Sequence, residues 1–436
     1  MEYVLNKQNV INKVDILEGI IKSDINRFNK KVRGEETDNS FDRLKIVFHK
    51  TRFSLFLAGQ DELIFPITAD IWPSLTCDAR CSSCTYINNR ARQIADNSSK
   101  RFFLDTNITY QFFESFQKAG GNSIIVTGGG EPLLHPDIKL ITRNIRSSGL
   151  AWGMFTHGLH LDDSIADGLL ENEPRFIRIS FNAGSSGYHH SKYRLGREAL
   201  DKITKNTVRA AIKSGKNKVI GVGFALPGSI HDHEILSILD RCTKLFEDSK
   251  GTIRSIAFRP EIISFSNQQA RNKQPNNTRL ESLAYKLHEQ IVQPLKTRCG
   301  NELTIELKTE MFSRTSKELT RTLSSVATPW ATATDHLLNG YIMTELNGSP
   351  WNGVKYGSFK NIEFSTLWMS DKRINIMNNF ASGSRLIPIS HKLSHIDEYL
   401  SLIRESVGIM NEREIRDFYK RLEHINFPII RHWDFL

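Results

Sequence analysis

The chain of 436 residues is poor in cysteine: it has five, an odd number and far too few to staple a chain of this length. A disulfide framework is excluded, and reduced thiols point to a reducing compartment. There is no unbroken apolar run near the ~18–20 residues that a membrane helix needs, so no spanning helix is expected. Met1 to Lys30 mix polar and apolar side chains, with no compact apolar stretch ahead of a small-residue cleavage site. No secretory signal is expected, and the cytoplasm is the expected location. Internal repeats and long low-complexity tracts are also missing, which sets aside solenoid architectures.

What is present suits an ordinary globular protein. Hydrophobic residues make up 39% and charged residues 24%, a balance that can bury a core. The length suits a barrel-sized domain with an appendage. The net charge of +10 would ease contact with acidic ligands. The basic residues are nevertheless spread along the chain, and runs such as Lys30, Lys31 and Arg33 stand isolated. A solvated surface accounts for them, and nucleic acid is not the expected partner.

From Pro66 onward strand-like and helix-like runs alternate, the pattern of a parallel β/α domain. Strands are predicted at Ile67–Ile71, Ser123–Thr127, Gly153–Thr156, Phe176–Phe181, Val219–Phe224 and Ser255–Phe258. Helices are predicted between them, the first starting near Thr106 as N-cap and ending at Gly120–Gly121, the others over roughly 137–148, 161–170, 196–213 and 232–247. The predicted fold class is α/β: a partial (β/α)6 TIM-like barrel with an α+β C-terminal domain, its site at the C-terminal ends of the strands. The predicted division is an N-terminal extension over 1–64, the barrel over 65–264, a polar linker over 265–278 and a C-terminal domain over 279–436.

Three of the five cysteines lie together in Thr76-Cys77-Asp78-Ala79-Arg80-Cys81-Ser82-Ser83-Cys84, with the spacing C-x3-C-x2-C just after the first predicted strand. Three thiolates this close can wrap one cluster from a single loop. On a four-iron cluster they leave one iron open to a ligand. The competing reading is a zinc site completed by a histidine, although zinc favours paired cysteines and no second pair exists. Cys242 and Cys299 stand alone, and Cys242 lies in a helix-like stretch where a packing role is expected.

This motif resembles the signature of the radical S-adenosylmethionine (SAM) superfamily. The resemblance implies that Cys77, Cys81 and Cys84 bind one 4Fe–4S cluster, which cleaves SAM to methionine and a 5′-deoxyadenosyl radical. Family members commonly carry an aromatic residue before the third cysteine; here it is Ser83, with Tyr86 just beyond. Thr127-Gly128-Gly129-Gly130-Glu131-Pro132, after the second strand, is similar to the family's glycine–glutamate motif. That likeness implies SAM contacts for Gly129, Gly130 and Glu131. Thr156-His157-Gly158 stands where the family often has Thr-Asn-Gly. The fourth strand, Arg178 to Gly184, is similar to the strand that holds the ribose and carboxylate of SAM. Ser180 would bond the ribose hydroxyls there, Asn182 stands among these SAM contacts where an aspartate is common, and Arg194 would serve the carboxylate. Strand alternation would put Arg178, Ser180 and Asn182 on one face. Val219 to Leu226 resembles the family's fifth-strand motif beside adenine, and Arg259 follows the sixth strand.

Family members often carry a cysteine-rich C-terminal SPASM or twitch domain holding further clusters. Gly340 to Met343 and Tyr356 to Ser370 resemble its strands and helix, yet no cysteine follows Cys299. The expectation is a degenerate domain without a cluster. Without an obvious electron acceptor, the favoured reaction is epimerisation, rearrangement or elimination on a small metabolite such as a sugar, nucleoside or amino acid. Cys242 and Cys299 are the candidate hydrogen-atom donors. The expected partners are a small-molecule or peptide substrate and an external electron donor such as flavodoxin or ferredoxin. Competing readings are a maturase of ribosomally made peptides, an RNA-modifying enzyme, and a non-catalytic iron–sulfur or zinc protein. The aromatic ending, His432 to Leu436, is expected to dock on the protein.

Overall fold

The structure is a computed structural model that describes residues 12–32, 44–81, 84, 102–261, 277–308, 327–342, 355–381, 391–427 and 435. Three helices come first: α1 (Lys13–Val32), α2 (Leu44–Phe48) and α3 (Lys50–Leu57). Strands and helices then alternate as β1 (Thr68–Ile71), α4 (Thr106–Lys118), β2 (Ser123–Val126), α5 (Ile138–Ser147), β3 (Ala151–Thr156), α6 (Asp163–Leu170) and β4 (Phe176–Ser180). Next come α7 (Ser186–Tyr193), α8 (Ala199–Ser214), β5 (Ile220–Leu226), α9 (Asp232–Asp248) and β6 (Ser255–Pro260). Beyond them lie α10 (Asn277–Leu287), a π-helical turn, α11 (Gln293–Cys299) and β7 (Thr304–Leu307).

The strands β1 to β7 pair in sequence order, each parallel to the next. All six predicted strands are therefore present in the predicted order, and the sheet stays open. It also extends past them. Thr304–Leu307, in the stretch assigned to the C-terminal domain, adds to β6 as a further parallel strand. On the other edge, β8 (Ala331–Thr334) lies parallel to β1 and is followed antiparallel by β9 (Asn339–Ile342) and β10 (Lys355–Ser358). The C-terminal region thus shares one ten-stranded sheet with the barrel.

Helix starts follow local chemistry. The N-cap of α4 is Asp105, whose carboxylate accepts from the Asn107 N–H; the predicted Thr106 is the first helical residue. The Asp162 side chain caps α6 in the same way. Apolar faces then pack on the sheet: Phe112, Phe113 and Phe116 of α4 are fully or almost fully buried. Phe116 meets Phe364 edge-on at 4.9 Å, on α12 (Phe364–Trp368). Trp368 Nε1 donates to the Ile64 carbonyl at 2.8 Å, so the C-terminal region is seated on the first β/α unit.

Three further helices close the chain: α13 (Asp371–Ala381), α14 (His391–Val407) and α15 (Glu412–Leu422). The helices α14 and α15 pack against α1, and Arg421 pairs with Asp15 and with Glu18 at 3.1 Å. The Met410 N–H donates to the Leu57 carbonyl at 2.8 Å. Phe435 is buried against Phe176 at the start of β4, so this residue of the aromatic ending docks at the strand end opposite the cysteine loop. No helix of the described residues is long and apolar enough to cross a membrane. The linker residues 265–276, Ser83, Tyr86, and His432 to Asp434 lie outside the described residues.

Candidate active site

The loop after β1 carries Cys77, Cys81 and Cys84, each half-buried. It is tied down from several sides. The Cys84 N–H donates to the Cys81 carbonyl at 3.1 Å, and the Arg80 N–H to the Tyr193 carbonyl of α7 at 2.8 Å. Burial, then the neighbouring thiols of Cys84 and Cys77, pushes the Cys81 thiol up to about 12. A buried thiol with two others beside it resists ionisation until a cation shares the space.

Cys242 and Cys299 are not brought to this loop. Cys242 is fully buried in the second half of α9, a helix that starts near the site end of the sheet and runs away from it. Cys299 closes α11 just ahead of β7 and is also buried. Burial pushes both thiols up, as expected of packing cysteines.

The glycine motif meets the cysteine loop directly. The Glu131 N–H donates to the Thr76 carbonyl at 2.7 Å. A side chain at Gly130 would overlap the Thr76 carbonyl, and one at Gly129 would press on the Trp72 ring at 2.9 Å. Only glycine allows this approach. The Glu131 carboxylate is buried and turned toward the end of β3. It accepts from the Leu133 N–H at 3.1 Å, the His157 N–H at 3.0 Å and the Thr156 hydroxyl.

A second network joins β3 to the cysteine loop. His157 Nε2 lies 2.8 Å from Asp78 Oδ1, and His160 Nε2 lies 2.7 Å from Asp78 Oδ2. Burial works against charge on Asp78, but hydrogen bonds from the two histidines hold its carboxyl far below the usual carboxylate range. Polar atoms of Cys77, Asp78 and His157 all lie within 4.8 Å of one another. His157 Nδ1 accepts from the Leu159 N–H at 3.2 Å. With Nδ1 occupied and Nε2 engaged by Asp78, the ring has no lone pair for a metal. That disfavours the three-cysteine, one-histidine zinc site. Three thiols on one loop fit a cluster held by three cysteines.

At the end of β4 the alternation expected of Arg178, Ser180 and Asn182 stops at Ser180. Asn182 is left-handed, with φ 50°. Its Oδ1 accepts from the Ala225 N–H at 2.6 Å and its Nδ2 bonds the Tyr193 hydroxyl, stapling the ends of β4, β5 and α7 together. The Ser180 hydroxyl makes no hydrogen bond among the described residues. Arg194 is an exposed, left-handed residue at the C-cap of α7.

The cation buried here is Lys192. Its Nζ donates to the Ala225 carbonyl at 3.0 Å and lies 3.1 Å from Glu261 Oε1. The sequence reading missed it because Ser186–Tyr193 lacks an apolar helical stripe. Arg259 is exposed on β6. Arg178 of β4 pairs with Glu306 of β7 at 3.7 Å, although β5 and β6 stand between them. They can meet only across the concave face of the curved sheet. Lys308 joins them, 3.0 Å from Glu306.

Residues 73–242 match the model of the Radical SAM superfamily. No curated protein matches the sequence. Among solved structures, the chain is similar to Streptococcus suis SuiB bound to precursor peptide SuiA, with 15% identity and a TM-score of 0.56 over 92% of this chain and 89% of that one. SuiB bound to S-adenosylmethionine gives 15% identity and a TM-score of 0.55 over 84% and 80%. Native anSMEcpe with bound AdoMet and a Cp18Cys peptide gives 13% identity and 0.50 over 82% and 99%. At such identities the likeness is one of fold.

Proposed function

We propose that this chain, whose residues 73–242 match the Radical SAM superfamily model, is a radical SAM enzyme in which Cys77, Cys81 and Cys84 hold a 4Fe–4S cluster and the substrate is a small polar metabolite. The observation that supports the site assignment is three half-buried thiols on one loop after β1, with the thiols of Cys77 and Cys84 beside that of Cys81. Held by Cys77, Cys81 and Cys84, a cluster would supply the one-electron cleavage of SAM to methionine and a 5′-deoxyadenosyl radical.

The chain's own residues position and shield. The tight packing of Gly129 and Gly130 on the cysteine loop supports a role for their backbone groups in holding the amino group of SAM. The Ser180 hydroxyl is available to the ribose, and Lys192 offers its ammonium to a carboxylate. Glu131 and Asn182 act by holding strand ends in register, since their side-chain polar atoms are already engaged. An external reductant such as flavodoxin or ferredoxin supplies the electron. The Arg178–Glu306–Lys308 group on the concave face suits a charged or polar substrate such as an amino acid, nucleoside or sugar. The lack of cysteine after Cys299 favours a redox-neutral outcome: epimerisation, rearrangement or elimination. The cytoplasm remains the expected location.

A second reading, maturation of a ribosomally made peptide, draws support from two structural neighbours solved with peptides bound. Anaerobic protein with reductant and SAM is the test. Formation of 5′-deoxyadenosine, lost in Cys81→Ala and stimulated by small metabolites, supports the first reading. Stimulation by a peptide alone moves the assignment to the second. No 5′-deoxyadenosine with any substrate class overturns both.

A further inference from the structure

We infer that Arg178, on the concave face of the sheet, anchors an acidic group of the substrate, a carboxylate or a phosphate. The inference deepens the reading above and rests on that face being the substrate site. A guanidinium with unspent N–H donors carries it. Arg178 makes no hydrogen bond among the described residues, and Glu306, with which it pairs, lies 3.7 Å away, beyond hydrogen-bond range. The Arg178 side chain is 32% exposed, so a ligand on this face can reach it.

The sheet holds this side chain across an open hollow. Paired residues of parallel strands point to the same side, so Phe155, Arg178 and Gly221 share one face, with Gly223, Ala257 and Glu306. Between Arg178 on β4 and Glu306 on β7, the intervening strands present Gly221, Gly223, Ser255 and Ala257, whose side chains are small or absent. The stem of Arg178 lies along Gly223, where a Cβ would stand 3.4 Å from Arg178 Cδ. The guanidinium carbon lies 5.8 Å from the centre of the Phe155 ring, which orients it. Phe155 meets Phe176 edge-on at 5.5 Å, and Phe176 meets Phe435 at 5.4 Å, giving the face an aromatic floor.

Charge completes the case. Lys308 stands 3.0 Å from Glu306, closer than Arg178 does, so Lys308 matches that carboxylate and Arg178 is the surplus cation of the three. One further negative charge balances the group. The planar fork of a guanidinium takes carboxylate or phosphate oxygens through two parallel N–H donors. Beside an apolar floor such a pair is stronger than it would be in bulk water. A neutral sugar or nucleoside would leave the cation unmatched.

The test is calorimetric titration of the reconstituted, full-length protein, kept anaerobic, with matched probes: leucine against leucinamide, uridine 5′-monophosphate against uridine, and glucose 6-phosphate against glucose. SAM is titrated alongside. Wild type should bind at least one of the acids about 10–100-fold more tightly than its neutral counterpart. Arg178→Met should abolish that preference. Arg178→Lys keeps the charge and loses the fork, so it should recover binding of a phosphate more than of a carboxylate. Glu306→Gln removes the competing carboxylate and should tighten acid binding; it decides the matter if Arg178→Met does not fold. The inference is overturned if wild type prefers no acid, if the preference survives Arg178→Met, if that variant loses affinity for SAM alone, or if Glu306→Gln leaves acid binding unchanged. The same samples are assayed for 5′-deoxyadenosine. Its formation without any acid preference leaves the enzyme reading standing alone. An acid preference lost in Arg178→Met, with no 5′-deoxyadenosine formed by wild type, upholds the anion site and overturns the enzyme reading.

Discussion

Gly130 lies so close to the Thr76 carbonyl that a single methyl group on it would collide with that oxygen. The cysteine loop and the glycine loop are therefore one packed unit. Gly130→Ala forces backbone apart in both loops and is expected to cost about 1–3 kcal/mol, as overpacking does. The variant should show a lower Tm and retain less iron after desalting than wild type. An unchanged Tm and iron content would mean the two loops are not coupled.

The Glu131 carboxylate holds three donors, two at the end of β3 and one in its own turn. Glu131→Ala strands the Thr156 hydroxyl and the backbone N–H groups of His157 and Leu133. The expected loss is about 1.5–3 kcal/mol, the range for hydrogen bonds to charged groups. Glu131→Gln keeps one oxygen and should lose less. Urea unfolding of the two variants checks the order.

His189 of α7 is fully buried, stacked on Tyr193 at 4.5 Å, and neither ring nitrogen has a partner among the described residues. Burial, then the nearby His157, Arg241 and His190, lowers its pKa to about 4. An unfolded histidine titrates near ~6.5, so the unfolded chain binds this proton first. Stability from the neutral ring is fully present above ~6.5 and is lost as pH falls toward about 4. In His189→Phe the slope of stability against pH across that window should flatten. An equal slope in both proteins would show that the ring is hydrated.

Cys242→Ala and Cys299→Ala remove buried packing atoms from the helix layer, away from the cysteine loop. Each should cost about 1 kcal/mol in stability. Both should still form the substrate-derived product at wild-type rates, measured by mass. Loss of product in either variant without loss of fold would restore it as a hydrogen-atom donor.

The strands of the barrel were legible because each is a short apolar run bounded by turn residues, and the cysteine motif because its ligands are local in sequence. Three features were not. Ser186–Tyr193 forms a helix with His189, Lys192 and Tyr193 buried, although its polar sequence carries no apolar stripe. Ala331–Thr334 chooses β1 as its parallel partner across a long stretch of chain, and no local pattern encodes a partner so distant. The third is which polar side chain is spent internally. Glu131 and Asn182 look like ligand contacts in sequence, yet both close hydrogen bonds between strand ends. Arg194 is the more conspicuous cation in sequence, whereas the cation buried beside the strand ends is Lys192.

The central claim is one cluster with an open iron that SAM occupies. The most direct measurement is EPR of the reduced, reconstituted protein with and without SAM, alongside iron analysis. The account predicts about four irons per chain and a cluster signal that changes shape when SAM is added. About eight irons per chain, or a signal indifferent to SAM, would contradict it.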